Sequence, residues 1–225
     1  NSTTLVLGVS LMSGATYGQI ANGSFETGTA YVNGPNIFQS GTPTPWFATS
    51  FTPDCYDNTG VDGWNLAGIP AYGGMFQNML ASHGNRFIGF GAGATFSESF
   101  KQVMSPLTPG SSYTITADMA VDDLGKDNGT YGGPYLGRGM IDVRINGSSV
   151  GQFAQNTLTY TWEVRSVTFI APTASSYDVE FVAMNDPLTR APSYMALDNI
   201  GMVPEPTSLL GISCGLAAVV RRRRR

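Results

Sequence analysis

Apolar and polar residues alternate with a period of two through the middle and later parts of the chain. In the segment Ser112 to Ala120, Tyr113, Ile115, Ala117 and Met119 fall on one side, and Thr114, Thr116 and Asp118 on the other. In Met140 to Ile145, Ile141, Val143 and Ile145 oppose Asp142 and Arg144. Successive side chains of a strand point to opposite faces, so this pattern predicts half-buried β-strands. The same reading predicts strands over Arg86 to Phe90, Thr95 to Val103, Ser149 to Phe153, Trp162 to Ile170, Tyr177 to Met184 and Tyr194 to Met202. Asn146-Gly147 predicts a type I′ hairpin turn, because both residues tolerate positive φ. No helical period interrupts residues 19 to 202. Eight or so short strands predict an all-β, antiparallel two-sheet sandwich. Residues 27 to 84 hold many Gly, Pro and Asn, with Trp46, Phe47, Trp64 and Phe76 spaced irregularly. Long loops carrying one or two strands are expected there.

Composition places this sandwich outside the cell. Charged residues are only 12% of the 225, while Gly (28) and Pro (13) are plentiful. A soluble domain usually carries about twice that share of charge. The net charge of −4 conceals an asymmetry, because five of the twelve basic residues are the terminal run Arg221 to Arg225. The remainder is strongly acidic and repels phosphate backbones, which argues against nucleic acid as a partner. Cys55 and Cys214 are the two cysteines, and Cys214 lies in a C-terminal apolar run. That excludes a disulfide scaffold and a cysteine zinc site.

The two ends read as targeting segments. Leu5 to Met12 is mostly apolar and small residues follow at Ser13, Gly14 and Ala15, like the tail of a signal peptide over residues 1 to 18. A first β-strand is the other reading of that run. At the C-terminus, Pro204 and Pro206 are expected to break the last strand. Thr207 to Val220 then carries no charge and precedes the arginines. This predicts a short hydrophobic helix at a membrane, its arginines on the cytoplasmic side.

Pro204-Glu205-Pro206, the apolar run and the arginines led by Arg221, Arg222 and Arg223 resemble the PEP-CTERM sorting signal. The resemblance covers residues 203 to 225. It implies export in a Gram-negative, exopolysaccharide-making bacterium and processing near Pro-Glu-Pro by an exosortase. The domain of residues 19 to 202 has a resemblance too. Asn22-Gly23-Ser24-Phe25-Glu26 and Ala196-Leu197-Asp198-Asn199-Ile200 are similar to the bookends of DUF642-like and galactose-binding-like carbohydrate modules. Asp62-Gly63-Trp64, Gly84-Asn85-Arg86-Phe87-Ile88, Leu107 to Tyr113 and Val143 to Gly147 lie between them in similar order. The resemblance implies a jelly roll, often with one structural Ca²⁺ and sometimes a sugar site.

For Ca²⁺, the matching acids are Glu26 and Asp198, since hard cations take carboxylate oxygens. An exposed Glu26 with a turn-forming Asp198 is an equal alternative. For sugar, Tyr131, Tyr135 and Trp46 are the candidate stacking aromatics, because they fall in loops. Trp64 and Trp162 sit beside apolar runs and are expected in the core. His83 is the one histidine and lies in a turn. No nucleophile motif, metal motif or phosphate loop accompanies it, so the chain reads as non-enzymatic. The expected function is carbohydrate binding or adhesion at the cell surface or in extracellular polysaccharide. A glycan hydrolase or lyase on the same sandwich, and a purely structural matrix protein, stay open as alternatives.

Overall fold

A computed structural model describes residues 20–30, 38, 41–60, 64–66, 76, 79–121, 137–155 and 161–205. Among these, all helical and extended elements are strands. Five short ones come first: β1 (Gly28–Thr29), β2 (Thr42–Pro43), β3 (Phe47–Ser50), β4 (Asp54–Asp57) and β5 (Asn65–Leu66). Eight longer ones follow: β6 (Arg86–Ala92), β7 (Ser99–Met104), β8 (Ser112–Val121), β9 (Gly139–Ile145), β10 (Ser148–Gln155), β11 (Glu163–Ile170), β12 (Tyr177–Met184) and β13 (Ser193–Pro204). These eight answer the eight periodic segments. The expected hydrophobic helix of the C-terminus lies outside the described residues.

The strands form a jelly-roll sandwich of two sheets. One has the order β10-β9-β12-β7-β3, the other β11-β8-β13-β6-β4-β5, and β1 and β2 pair separately. All pairings are antiparallel except β4 with the two-residue β5. The β9–β10 hairpin turns at Asn146 and Gly147, with φ of 50° and 75°, as a primed turn requires. β7 begins at Ser99, later than its alternation suggests. Residues 93–98 instead double back on β6, where Gly93 N donates to Phe96 O at 2.9 Å and Glu98 N to Gly91 O at 2.9 Å.

Between the sheets, the inward positions of each strand interleave as one apolar core. Phe100 on β7 is its hub. Its ring lies 5.0 Å from Phe90, 5.4 Å from Trp46, 5.6 Å from Phe38 and Phe181, and 6.1 Å from Phe25. Cys55 faces the same core as a free buried thiol, whose pKa burial raises. A second cluster covers part of the outer face of the six-stranded sheet. There Tyr56, Phe76, Met79, Phe87, Tyr194 and Ala196 pack together, with Trp162 against their edge.

β13 ends at Pro204, where the break is expected. It pairs with β8 as far as Pro204 opposite Tyr113, and Glu205 N still donates to Ser112 O at 3.0 Å. The sandwich therefore runs past residue 202, into the segment that reads as the sorting signal. Beyond Leu197, β13 pairs with no strand on its β6 side among the described residues. Proline is tolerated on such an edge, because its missing N–H removes no ladder bond.

Truncating the hub should be costly. Phe100→Ala is expected to lower stability by about 3–5 kcal/mol, measured by urea unfolding. Phe100→Leu should cost less.

Candidate functional site

The two bookend motifs meet in space. Gly23 O accepts from Ile200 N at 2.9 Å, and a Cβ on Gly23 would come within 1.8 Å of Ile200 O. Phe25 adopts a φ of 58° and turns its ring into the core, which leaves Glu26 outside. On β13 a bulge between Asp198 and Gly201, with Asn199 at φ 50°, projects the Asp198 carboxylate outward from the sheet.

Both acids then converge on one turn. Asp198 Oδ2 accepts from His83 N at 2.8 Å and Ser82 Oγ at 3.0 Å, and its Oδ1 from Asn199 N at 2.6 Å. Glu26 Oε1 accepts from Asn85 N at 2.8 Å and Arg86 N at 2.9 Å. Gly84 stands between them at φ 71°, and a Cβ there would lie 2.4 Å from Glu26 Oε1. Glycine is thus required twice at this position, by conformation and by space. Asp118 on β8 faces Asp198 across the ladder and takes a 2.7 Å bond from Ser82 Oγ. Burial raises the Asp198 carboxyl to about 6, against the lowering effect of its bonds from His83, Asn199 and Ser82. Among the described residues, no three His, Cys, Asp or Glu side chains cluster as a metal site.

A buried ion pair closes this end of the sheet. Arg86 Nε donates to Asp57 Oδ2 at 2.7 Å, and the guanidinium lies 4.4 Å above the Trp64 ring. Burial opposes the charge on Asp57. Bonds from Thr59 and Arg86 outweigh it and hold the carboxyl below its ordinary value.

Trp46 is not a sugar-stacking residue. It is 2% exposed, its ring packs on Phe25, Phe100 and Phe181, and its Nε1 donates to Asn22 O at 2.9 Å. The neighbouring proline suggested a loop, but tertiary packing puts this side chain in the core. Trp64 is buried as expected, and Trp162 is half-buried against the second cluster. Tyr131, Tyr135, Pro206, Arg221, Arg222 and Arg223 lie outside the described residues. Pro204 closes β13, and Glu205 accepts a bond from the Thr114 hydroxyl.

The five-stranded sheet offers what Trp46 does not. Its outer face carries charged and polar residues among apolar ones, and registration lines up Ser149, Arg144, Glu180, Lys101 and Phe47 as one row across all five strands. Phe47 is 43% exposed, with Lys101 Nζ 5.6 Å from its ring centroid. Beside the row, Thr49 Oγ1 donates to Glu180 Oε1 at 2.7 Å and lies 2.6 Å from Ser99 Oγ. Asp142 takes bonds from Arg144 Nε at 2.7 Å and Ser149 Oγ at 2.5 Å, and Lys101 pairs with Asp178 at 3.2 Å. Donors and acceptors are therefore held in place on the outer face of this sheet. Alternation marks Asp142 and Arg144 as outward positions, whereas Phe47 and Thr49 fall in residues 27 to 84, where long loops with one or two strands are expected. Alternation does not give the strand order that makes the row.

No family model matches the sequence, and no curated protein does. Solved structures are similar to it. A Stig cyclase, Fisc, from Fischerella sp. TAU in complex with (3Z)-3-(1-methyl-2-pyrrolidinylidene)-3H-indole is 17% identical, with a TM-score of 0.52 over 83% of this chain and 96% of that chain. Another structure of a cyclase from Fischerella sp. TAU is 16% identical, with a TM-score of 0.50 over 83% and 96%. The module TmCBM61 in complex with beta-1,4-galactotriose is 12% identical, with a TM-score of 0.47 over 84% and 100%. At such identities the likeness to the cyclases is one of fold.

The Arg86–Asp57 pair gives a direct test of this end of the sheet. Arg86→Met leaves the Asp57 carboxylate buried without its cation and should cost about 3–5 kcal/mol in chemical denaturation. Arg86→Lys should recover part of the loss.

Proposed function

We propose that this chain is an exported, non-enzymatic surface or matrix protein whose sandwich binds carbohydrate on the open face of its five-stranded sheet. The observation that carries this reading is the row from Ser149 to Phe47. A sugar ring presents one apolar face and a rim of hydroxyls. The exposed Phe47 ring matches the first, and the fixed carboxylates, hydroxyls, guanidinium and ammonium match the second. Neutral glycans suit this face best, because its cations are already paired with acids. The acids beside the row are engaged in the same network. An enzyme would need a carboxylate pair open to its substrate.

Export and sorting remain part of the proposal through the PEP-CTERM resemblance. We propose that an exosortase acts on the tail, and that the protein is held at the envelope of a Gram-negative bacterium or released into its extracellular polysaccharide. Deleting residues 206 to 225 should free the protein from the envelope while leaving the sandwich folded. Unchanged retention would remove the sorting reading.

We propose one structural Ca²⁺ at Glu26 and Asp198, in keeping with the galactose-binding-like resemblance. In its support, two acids from opposite ends of the domain approach one turn, and their oxygens are the hard donors that Ca²⁺ takes. Chelation of metal-loaded protein should lower its melting temperature. An unchanged melting temperature would leave the turn held by hydrogen bonds alone.

The sugar site is tested by a glycan array of the whole domain, followed by Phe47→Ala and Glu180→Gln. Loss of stacking on an aromatic ring costs about 1–3 kcal/mol in comparable ring-on-ring contacts, so Phe47→Ala should weaken binding by about 5- to 150-fold. Binding that survives both substitutions would move the site off this face.

A further inference from the structure

Two carboxylates outside the open face are buried together where the chain passes from one sheet to the other. Asp54 begins β4 and pairs with Gly89 of β6. Its carboxylate accepts from the Tyr194 hydroxyl of β13, and the Tyr56 hydroxyl lies 3.3 Å from that of Tyr194. Glu98 precedes β7, and its Oε2 accepts from Gly91 N at 2.7 Å. Gly89 and Gly91 are two residues apart on one face of β6, and the aromatic rings close over them. A Cβ on Gly89 would meet Tyr56, Phe76 and the Tyr194 hydroxyl, all within 2.9 Å.

Glu98 also joins the two sheets. Its side chain takes a bond from the backbone of Thr52, in the crossover Phe51 to Pro53 that leads from β3 to β4. Its carbonyl accepts from Ala183 N of β12 at 2.9 Å. The next residue, Ser99, pairs with Ser50 of β3 and touches Thr49. The crossover itself is strained at Phe51, with φ 52°, and is braced by Phe51 on Phe96 at 5.8 Å. β3 is the edge strand that carries Phe47 and Thr49.

We propose that Asp54 and Glu98 form a pH-sensitive latch on this crossover, and that their ionisation loosens β3 and weakens ligand binding at the open face. Its functional half rests on the carbohydrate reading above. Its structural half does not.

Two like charges this deep cannot both be ionised without large cost. Burial raises Asp54 to about 7, although its bond to Tyr194 acts the other way. Burial and then the charge of Asp54 raise Glu98 well above its ordinary value, against its bonds from Gly91 and Thr52. Among the described residues, no unengaged cation lies against the pair. β13 contributes Tyr194, whose hydroxyl stays protonated. β4 contributes Tyr56 and the Cys55 thiol, β6 only glycine backbone, and the covering segment Phe76. Arg86, farther along β6, is engaged with Asp57. The folded chain therefore binds more protons than the unfolded chain between 3.8 and about 7, so stability falls as pH rises across that window.

The test follows backbone amide exchange of residues 48–53 and the melting temperature of the sugar-free domain from about pH 5 to about pH 8. Wild type, Glu98→Gln and Asp54→Asn are compared, with exchange corrected for its intrinsic pH dependence. The wild type should lose several degrees of melting temperature and about tenfold in protection of the crossover as pH rises. Each of Glu98→Gln and Asp54→Asn should reduce both changes, with some melting-temperature slope left by Asp198, whose carboxyl burial raises to about 6. Should Glu98→Gln fail to fold, Asp54→Asn and the wild-type exchange decide alone. Crossover protection that is independent of pH in the wild type, or an equal slope in a folded variant, would overturn the latch. A glycan found on the array is then titrated at both pH values. Equal affinity at both, with a pH-dependent crossover, would separate the latch from the sugar site. Absence of glycan binding at either pH would count against the open-face reading and not against the exchange result.

Discussion

Phe100 holds the sandwich closed, and most of the molecule is arranged around its ring. Both sheets and the N-terminal segment reach it: Phe90 from the six-stranded sheet, Phe181 from its own, and Phe25 and Trp46 from the entry to the domain. Phe25 reaches it with a left-handed backbone angle. That same angle sends Glu26 outward to the turn at Gly84. Core packing thus fixes a polar contact at the surface. The contact in turn orients Arg86, whose strand lies centrally in the second sheet. A single apolar contact set therefore propagates through backbone geometry to the charged end of the domain.

The strands were legible because each lies with one face in the core. Tyr177 to Met184 alternates without a break, and β12 occupies those residues. Asn146-Gly147 carries its own backbone angles in its chemistry, so its turn was legible too. Trp46 was not, because its proline neighbour spoke of local conformation while the ring obeys packing. Asp54, Glu98 and Tyr194 gave no signal at all. Asp54 falls in a stretch expected to be mostly loop, Glu98 shares the parity of Phe96 and Phe100, and a distant segment bearing Phe76 and Met79 covers Tyr194. The convergence of Glu26 and Asp198 was foreshadowed by the bookend motifs. The row on the open face needed the strand order, which depends on contacts far apart in sequence.

The two faces of the molecule have opposite electrostatic characters. The open face pairs each cation with an acid in the presence of water, where such pairs cost little and contribute little stability. Their use is to hold polar atoms at fixed positions. The covered face buries acids with hydroxyls and backbone N–H groups, where ionisation is expensive. The β3–β4 crossover connects the two, so a change in protonation on one side has a short covalent path to the other.

The end of β13 determines how this domain bears load. Glu205 is bonded to Ser112, and the strand behind it is laddered to β8 over most of its length and to β6 over its first part. Tension entering at residue 205 runs along the strand axis and meets those ladder bonds in shear. Bonds loaded in that way must yield as a group, whereas a strand pulled sideways from an edge opens one bond at a time. A pull along the axis of β13 would therefore meet more resistance than a sideways pull at its edge.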